Sequence, residues 1–302
     1  MITTRELGNG PGVCVEGVNL ETDDLGQQAS TLRSLWQTHG LLLLRGCADS
    51  PETQIRFSRV FGALEAHPLK TIRSGEHPEL MELNSSDQRT NPVSHWGGEP
   101  WIGRLGWHKD LIYSGSPNLG AVLRAVTLPD ADGETGFADQ AAAYDALPAA
   151  LRQRLEGHSV VYRFHVDLEQ MPFLDTRDYE AGPGAPKTPA DVGFPDFPDS
   201  VYPLVLEHPH TGRRILNICP MFLSHIRGLD AGESDELLHE LVAHVTRPEF
   251  AYLHQWQTGD MVLWDNWRFM HSARGIRPGQ ARLIHRTTII DPEGSRALAG
   301  AR

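Results

Sequence analysis

From Gly120 onward the apolar residues of this chain fall into short runs of four to eight residues, each broken by turn-forming residues: 121–125, 160–164, 201–206, 215–218, 261–264 and 283–290. Runs this short are strands rather than helices, and glycine and proline punctuate the turns between them. The 29 glycines and 21 prolines, 50 of 302 residues, extend that pattern over the whole chain. The predicted fold class is mostly β with flanking helices, around a β-sandwich or jelly-roll core.

Helices are expected at three places. Leu25–His39 carries Leu25, Leu32, Leu35 and Trp36 at helical spacing. Ser50-Pro51 is a helix start, with serine as N-cap and proline in the first turn, and that helix should run to about Phe61, before Gly62. Glu233–Val245 presents Leu237, Leu238, Leu241 and Val242 on one face. Strands are also expected at Leu41–Leu44 and Leu80–Leu83. The segment from His165 to Ser200 is rich in Pro and Gly and carries Phe173, Tyr179, Phe194 and Phe197. A long irregular segment with aromatics reads as a lid. No composition shift marks a boundary, so residues 1–302 are expected to form one domain.

The net charge is −12, from 27 Lys and Arg against 39 Asp and Glu. Such a chain repels nucleic acid and anionic membrane, and no basic run offsets that. An anionic ligand would need deliberately placed cations. Cys14, Cys47 and Cys219 lie far apart, which argues against a disulfide framework or zinc ribbon and for a reducing cytoplasm. The first residues lack the apolar stretch of a signal peptide, and the most apolar short run, Leu41–Leu44, is far too short to span a bilayer.

Three His-x-Asp/Glu pairs occur: His77/Glu79, His108/Asp110 and His165/Asp167. Roughly two are expected by chance from 15 histidines and 39 acids, so the bare motif selects nothing. Pro78 suits a turn, and His165 opens the irregular segment. His108 and Asp110, on an extended segment, project from one face and can reach one ion together.

The order WHKD at 107–110, GET at 133–135, GDMVLWDNWRFMH at 259–271 and ARLIHRTTI at 281–289 resembles the taurine dioxygenase and 2,4-dichlorophenoxyacetate dioxygenase superfamily. The resemblance also takes in GVNL, LLLLRG, FGALEAHP and RPEFAYLHQW, and so covers nearly the whole chain. It implies a double-stranded β-helix (jelly-roll, cupin-like) core and an Fe(II) enzyme that uses 2-oxoglutarate and O2. His108, Asp110 and His271 would be the iron ligands, since two imidazoles and a carboxylate on one face leave positions open for co-substrate and O2. The carboxylate of Asp110 favours hydroxylation or desaturation over halogenation, for which a chloride would need its place.

The same resemblance matches Arg282 with the residue that holds the distal carboxylate of 2-oxoglutarate, a task for a planar guanidinium, and Thr135 with a hydroxyl donor to it. Arg286 and His67 match substrate contacts of the taurine enzyme, and Arg104 stands where that enzyme has a polar amide. On one extended strand Arg282 and Arg286 would lie about 13 Å apart, which favours two separate anions. The stretch 85–104 is longer than in the taurine enzyme and, like 165–200, more aromatic than a tiny sulfonate requires. A bulkier, anionic organic acid, including an amino-acid-like or aromatic intermediate, is therefore expected as the small-molecule substrate, in a chain whose relatives often form homo-oligomers. The other outcomes are desaturation or rearrangement of a biosynthetic intermediate with the same cofactors, and, more remotely, a zinc hydrolase or a non-catalytic 2-oxoglutarate sensor.

Overall fold

The computed structural model describes residues 1–8, 10–47, 50–66, 72–85 and 93–290. Two sheets stack face to face. The larger runs in the order Thr3–Glu6, Val13–Glu16, Leu41–Leu44, Met261–Asp265, Gly120–Thr127, Leu283–Ile290 and Ala63–Glu65, with Leu80–Asn84 also paired to Leu283–Ile290. The smaller runs Ala251–His254, Thr135–Asp139, Phe269–Ala273 and Leu105–His108, and every pairing in it is antiparallel. The arrangement is a jelly roll.

The inner faces meet in a dry layer. Leu41, Leu43, Leu123, Val262, Trp264 and Ile284 from the larger sheet pack against Phe137 and Phe269 from the smaller. Alternate residues face outward. Leu42, Leu44, Val122, Leu263 and Ile289 are covered by Leu32, Trp36 and Phe57 of the helices Leu25–His39 and Pro51–Arg59. Ala138 and Met270, on the outside of the smaller sheet, join a third cluster with Leu237, Leu238 and Leu241 of the helix Ala231–Val245. Among the described residues, no helix is long and apolar enough to cross a membrane.

Local signals explain the helix ends. Asp24 accepts from the Gly26 amide, and Gly40 takes a left-handed φ of 72° after His39. Ser50 accepts from the Thr53 amide with Pro51 in the first turn. That helix ends at Arg59, short of the expected Phe61. The expected strand Val201–Leu206 is two strands, Ser200–Pro203 and Val205–Glu207, in different sheets. Pro203 has no N–H to continue the ladder, and Leu204 turns to bond His158 and Asn217 instead. Residues 165–199 carry two short 3-10 helices, Leu168–Gln170 and Pro189–Val192, and the strand Tyr179–Glu180, which pairs with Ser94–Trp96.

Candidate active site

The strand Leu105–His108 lies antiparallel to Phe269–Ala273, with His108 opposite His271. That register puts the two imidazoles 4.0 Å apart, centroid to centroid. Asp110, two residues on, sets one oxygen 3.7 Å from His108 Nε2 and the other 3.6 Å from His271 Nε2. All three ligand atoms fall within 4.8 Å of one another. Of the other two His-x-acid pairs, His77 contacts Glu52, and Asp167 pairs with Lys187.

The ionisation states suit a cation. His108 Nδ1 donates to the Gly106 carbonyl at 2.8 Å, so the lone pair is on Nε2, facing Asp110. Burial lowers the pKa of both imidazoles, and for His271 the neighbouring His108 lowers it further, well below 6.5. Burial would raise Asp110, but Arg286 leads the groups that overcome it and hold the carboxyl well below its usual range. Two neutral imidazoles and an ionised carboxylate, converging from one side, fit iron(II).

The main chain around these ligands is fixed by buried polar groups. Asn266 grips Asp110 at both ends: its Oδ1 accepts from the Asp110 amide (3.1 Å) and its Nδ2 donates to the Asp110 carbonyl (3.0 Å). Asp265 accepts from the amides of Trp267 and Arg268, and Arg268 makes two bonds to Asp139. The turn leading to His271 is thereby held. Lys109 points away from the other two side chains and donates to Asn217 and the Trp267 carbonyl. Leu111, next to Asp110, holds a left-handed φ of 55°, a conformation costly for a branched side chain.

Arg282 lies just before the strand Leu283–Ile290, not on it, and a register shift follows between Leu283 and Ile284. It is 9% exposed. Its Nε donates to the Gly133 carbonyl (3.2 Å), and its other bond, to Thr135 Oγ1, is 3.5 Å long. Among the described residues no carboxylate pairs with it, and burial alone pushes the guanidinium down to about 10. A buried cation without a counter-charge is costly, and a dicarboxylate end would fill the need. Thr135 is itself oriented by Trp256, whose Nε1 donates to Oγ1 at 3.0 Å.

Arg286 sits four residues along and grips Asp110 with two bonds, 2.7 and 3.3 Å. Its ring-plane neighbour is Trp264, 5.6 Å away. His67 lies outside the described residues. Arg104 is not brought to the histidines. It lines a separate cavity and lies over Trp96 and Trp101, at 4.5 and 5.6 Å.

A cavity of about 350 Å³ opens beside His108, Asp110 and Arg286. Leu111, Tyr113, Phe164, Met171, Phe194 and Phe222 give it apolar walls, with Glu65 and Thr288 as further polar groups. Tyr113 stacks on Phe164 (4.2 Å) and meets Phe222 and Phe197 edge-on. Several wall residues come from the 165–200 segment. Sequence reasoning gave no role to Asn266, Trp256, Tyr113 or Phe222. Asn266 and Trp256 lie inside quoted motifs, but nothing periodic marks a polar side chain that bonds one backbone.

The sequence profile described as "Taurine catabolism dioxygenase TauD, TfdA family" matches residues 3–288. The (S)-phenoxypropionate/alpha-ketoglutarate-dioxygenase of Sphingobium herbicidovorans is 32% identical over 95% of each chain. Pentalenolactone F synthase of Streptomyces arenae is 32% identical over 96% of each. A crystal structure of a taurine dioxygenase from Burkholderia xenovorans superposes with a TM-score of 0.75 at 27% identity, covering 97% of this chain and 92% of that one. The chain belongs to the TauD/TfdA family, and it is an oxidoreductase of the Fe(II)- and 2-oxoglutarate-dependent dioxygenase class, acting with O2 on a small organic molecule.

Proposed function

We propose that this enzyme hydroxylates a small carboxylic acid with a bulky apolar or aromatic body, with His108, Asp110 and His271 as the iron ligands. The observation that carries the site assignment is Arg282, a buried guanidinium without a carboxylate among the described residues, beside the Thr135 hydroxyl. It is placed to take the distal carboxylate of 2-oxoglutarate. Bound at the three ligands, iron supplies the coupling of O2 reduction to decarboxylation of 2-oxoglutarate, which yields succinate and CO2.

The chain's own groups then do three things. Arg286 would receive the substrate carboxylate: it lines the cavity beside Asp110, and with a metal ion held by Asp110 its guanidinium would be freer to pair with an incoming anion. Tyr113, Phe164 and Phe222 seat the apolar body and exclude water from the reacting carbon. Residues 165–200 act as a lid, since Leu168, Met171, Val192 and Phe194 form one wall. A bare alkyl sulfonate would leave those walls uncovered. The phenoxypropionate-acting relative supports an aromatic acid. The likeness to pentalenolactone F synthase supports the second outcome, desaturation or rearrangement of a biosynthetic intermediate with the same cofactors.

The test is a screen of aryl and alicyclic carboxylates for succinate release, with product masses measured. A gain of one oxygen identifies hydroxylation, and a loss of two hydrogens identifies desaturation. Succinate release stimulated equally by sulfonates and neutral aromatics, and unchanged in Arg286→Ala, sinks the carboxylate reading.

A further inference from the structure

Behind the strand that carries His108 lies a second cavity, of about 440 Å³. Its floor is the outward face of the smaller sheet, where two glycines let neighbouring side chains lie directly against the backbone. A Cβ at Gly136 would come within 2.6 Å of Ser272 Oγ and 2.7 Å of the Trp107 ring, and one at Gly106 within 2.7 Å of Leu174. Leu105 and Leu253 edge this cavity at 39% and 41% exposure. Apart from Met1, they are the large apolar side chains left exposed among the described residues. Exposed apolar surface gathered in one concavity marks a binding site.

Its polar groups are unbalanced. Arg104 and Arg274 both line it, and among the described residues neither side chain makes a hydrogen bond or ion pair. Asp175 lines it too, but both its oxygens are engaged by Arg177, at 2.8 and 2.9 Å. Burial first, then the charge of Arg274, lowers the pKa of Arg104. Half-buried Arg104 and exposed Arg274 thus stand at one apolar hollow in a chain of net charge −12; among the described residues the acid that acts on Arg104 is Asp175, which Arg177 already bonds.

We propose that this cavity is a second binding site, for an organic acid with an apolar or aromatic body, whose carboxylate sits between Arg104 and Arg274. The site stands apart from the iron chemistry but shares a wall with it. Leu105 lines both cavities, and Gly106, in the floor of the second, accepts the bond that orients His108. An acid bound here bears on the strand that carries that ligand.

The test uses 4-iodophenoxyacetate on the whole chain loaded with Mn(II), by calorimetric titration and by iodine anomalous scattering from soaked crystals. Two sites are expected, one at Arg286 and one between Arg104 and Arg274. Arg286→Ala removes the first and leaves the second. Arg104→Gln/Arg274→Gln, with an unchanged circular dichroism spectrum, weakens the second at least about tenfold and leaves the first. An iodine at Arg286 alone overturns the proposal. So does second-cavity binding that is undiminished in the double variant, or a second copy of the chain filling the hollow in sedimentation and crystal. Because the sites are read separately, failure of the Arg286 site is distinguishable from failure of this one.

Discussion

Asn266 holds Asp110 by both of its main-chain polar groups, accepting from the amide at 3.1 Å and donating to the carbonyl at 3.0 Å. The main chain that carries this carboxylate to both histidines is therefore fixed by a side chain whose hydrogen bonds go to Asp110 and Asn118, while Arg286 holds the carboxylate itself. Asn266→Ala leaves a buried amide unpaired, which costs about 1–3 kcal/mol of stability. It should also weaken Fe(II) or Mn(II) binding about 10–100-fold, as loss of a supporting partner does at metal sites. A metal titration beside a thermal melt checks both. Unchanged metal affinity in a folded variant contradicts the positioning role.

Arg282 gives a prediction with an unusual sign. Arg282→Met removes a buried charge that has no carboxylate partner among the described residues, so the protein without co-substrate should melt no lower than the native one. Affinity for 2-oxoglutarate should fall about 10–100-fold, the worth of a charge-assisted pair. Melting curves with and without 2-oxoglutarate give the answer. A variant that melts much lower yet is still stabilised by 2-oxoglutarate contradicts the assignment.

Phe164 joins the wall of the first cavity to the rest of the fold. It contacts Tyr113 at 4.2 Å, Phe197 at 5.4 Å and Phe194 at 5.5 Å. Each aromatic pair adds about 0.5–1.5 kcal/mol beyond its buried area. Phe164→Ala removes both of its pairs with that segment, to Phe194 and Phe197, and should raise the opened population of residues 165–200 at least about 5-fold. Limited proteolysis should cut within that segment correspondingly faster, and the substrate KM should rise. Cleavage at the native rate removes the lid from the account.

The thiols are predicted to take no part in the chemistry. Burial, with Asp260 adding to it, pushes Cys47 from 9.0 up to about 12, and burial pushes Cys219 equally far. Native protein at pH 8 should resist iodoacetamide, and all three cysteines should react after unfolding. The linkage has a definite sign. An acid whose folded pKa is raised contributes stability that is present below about pH 9 and is lost as pH rises from 9 toward 12. Stability that increases over that window contradicts the thiol contribution.

The strand Leu283–Ile290 was legible in its body, although the sequence reading also placed Arg282 on it, just before its first residue. The helix Leu25–His39 was legible through its apolar spacing. The sandwich followed from the short runs. His108, Asp110 and His271 came from a motif order, since His-x-Asp alone occurs as often by chance. Arg104 shows the limit. Four residues before His108, it should share that residue's face on an unbroken strand. The strand begins only at Leu105, and its pairing is irregular between His271 and Ala273, so parity does not carry back to Arg104. The cavity walls were not legible either, because Tyr113, Phe164 and Phe222 meet only through tertiary packing.

The central claim is that the three ligands and Arg282 form one iron and 2-oxoglutarate site, and anaerobic optical titration tests it most directly. Fe(II)-loaded protein is titrated with 2-oxoglutarate in the absence of O2. A weak visible charge-transfer band should appear, should be lost in His271→Ala, and should need far more 2-oxoglutarate in Arg282→Met. No band in folded, iron-loaded native protein, or a band indifferent to both substitutions, contradicts it.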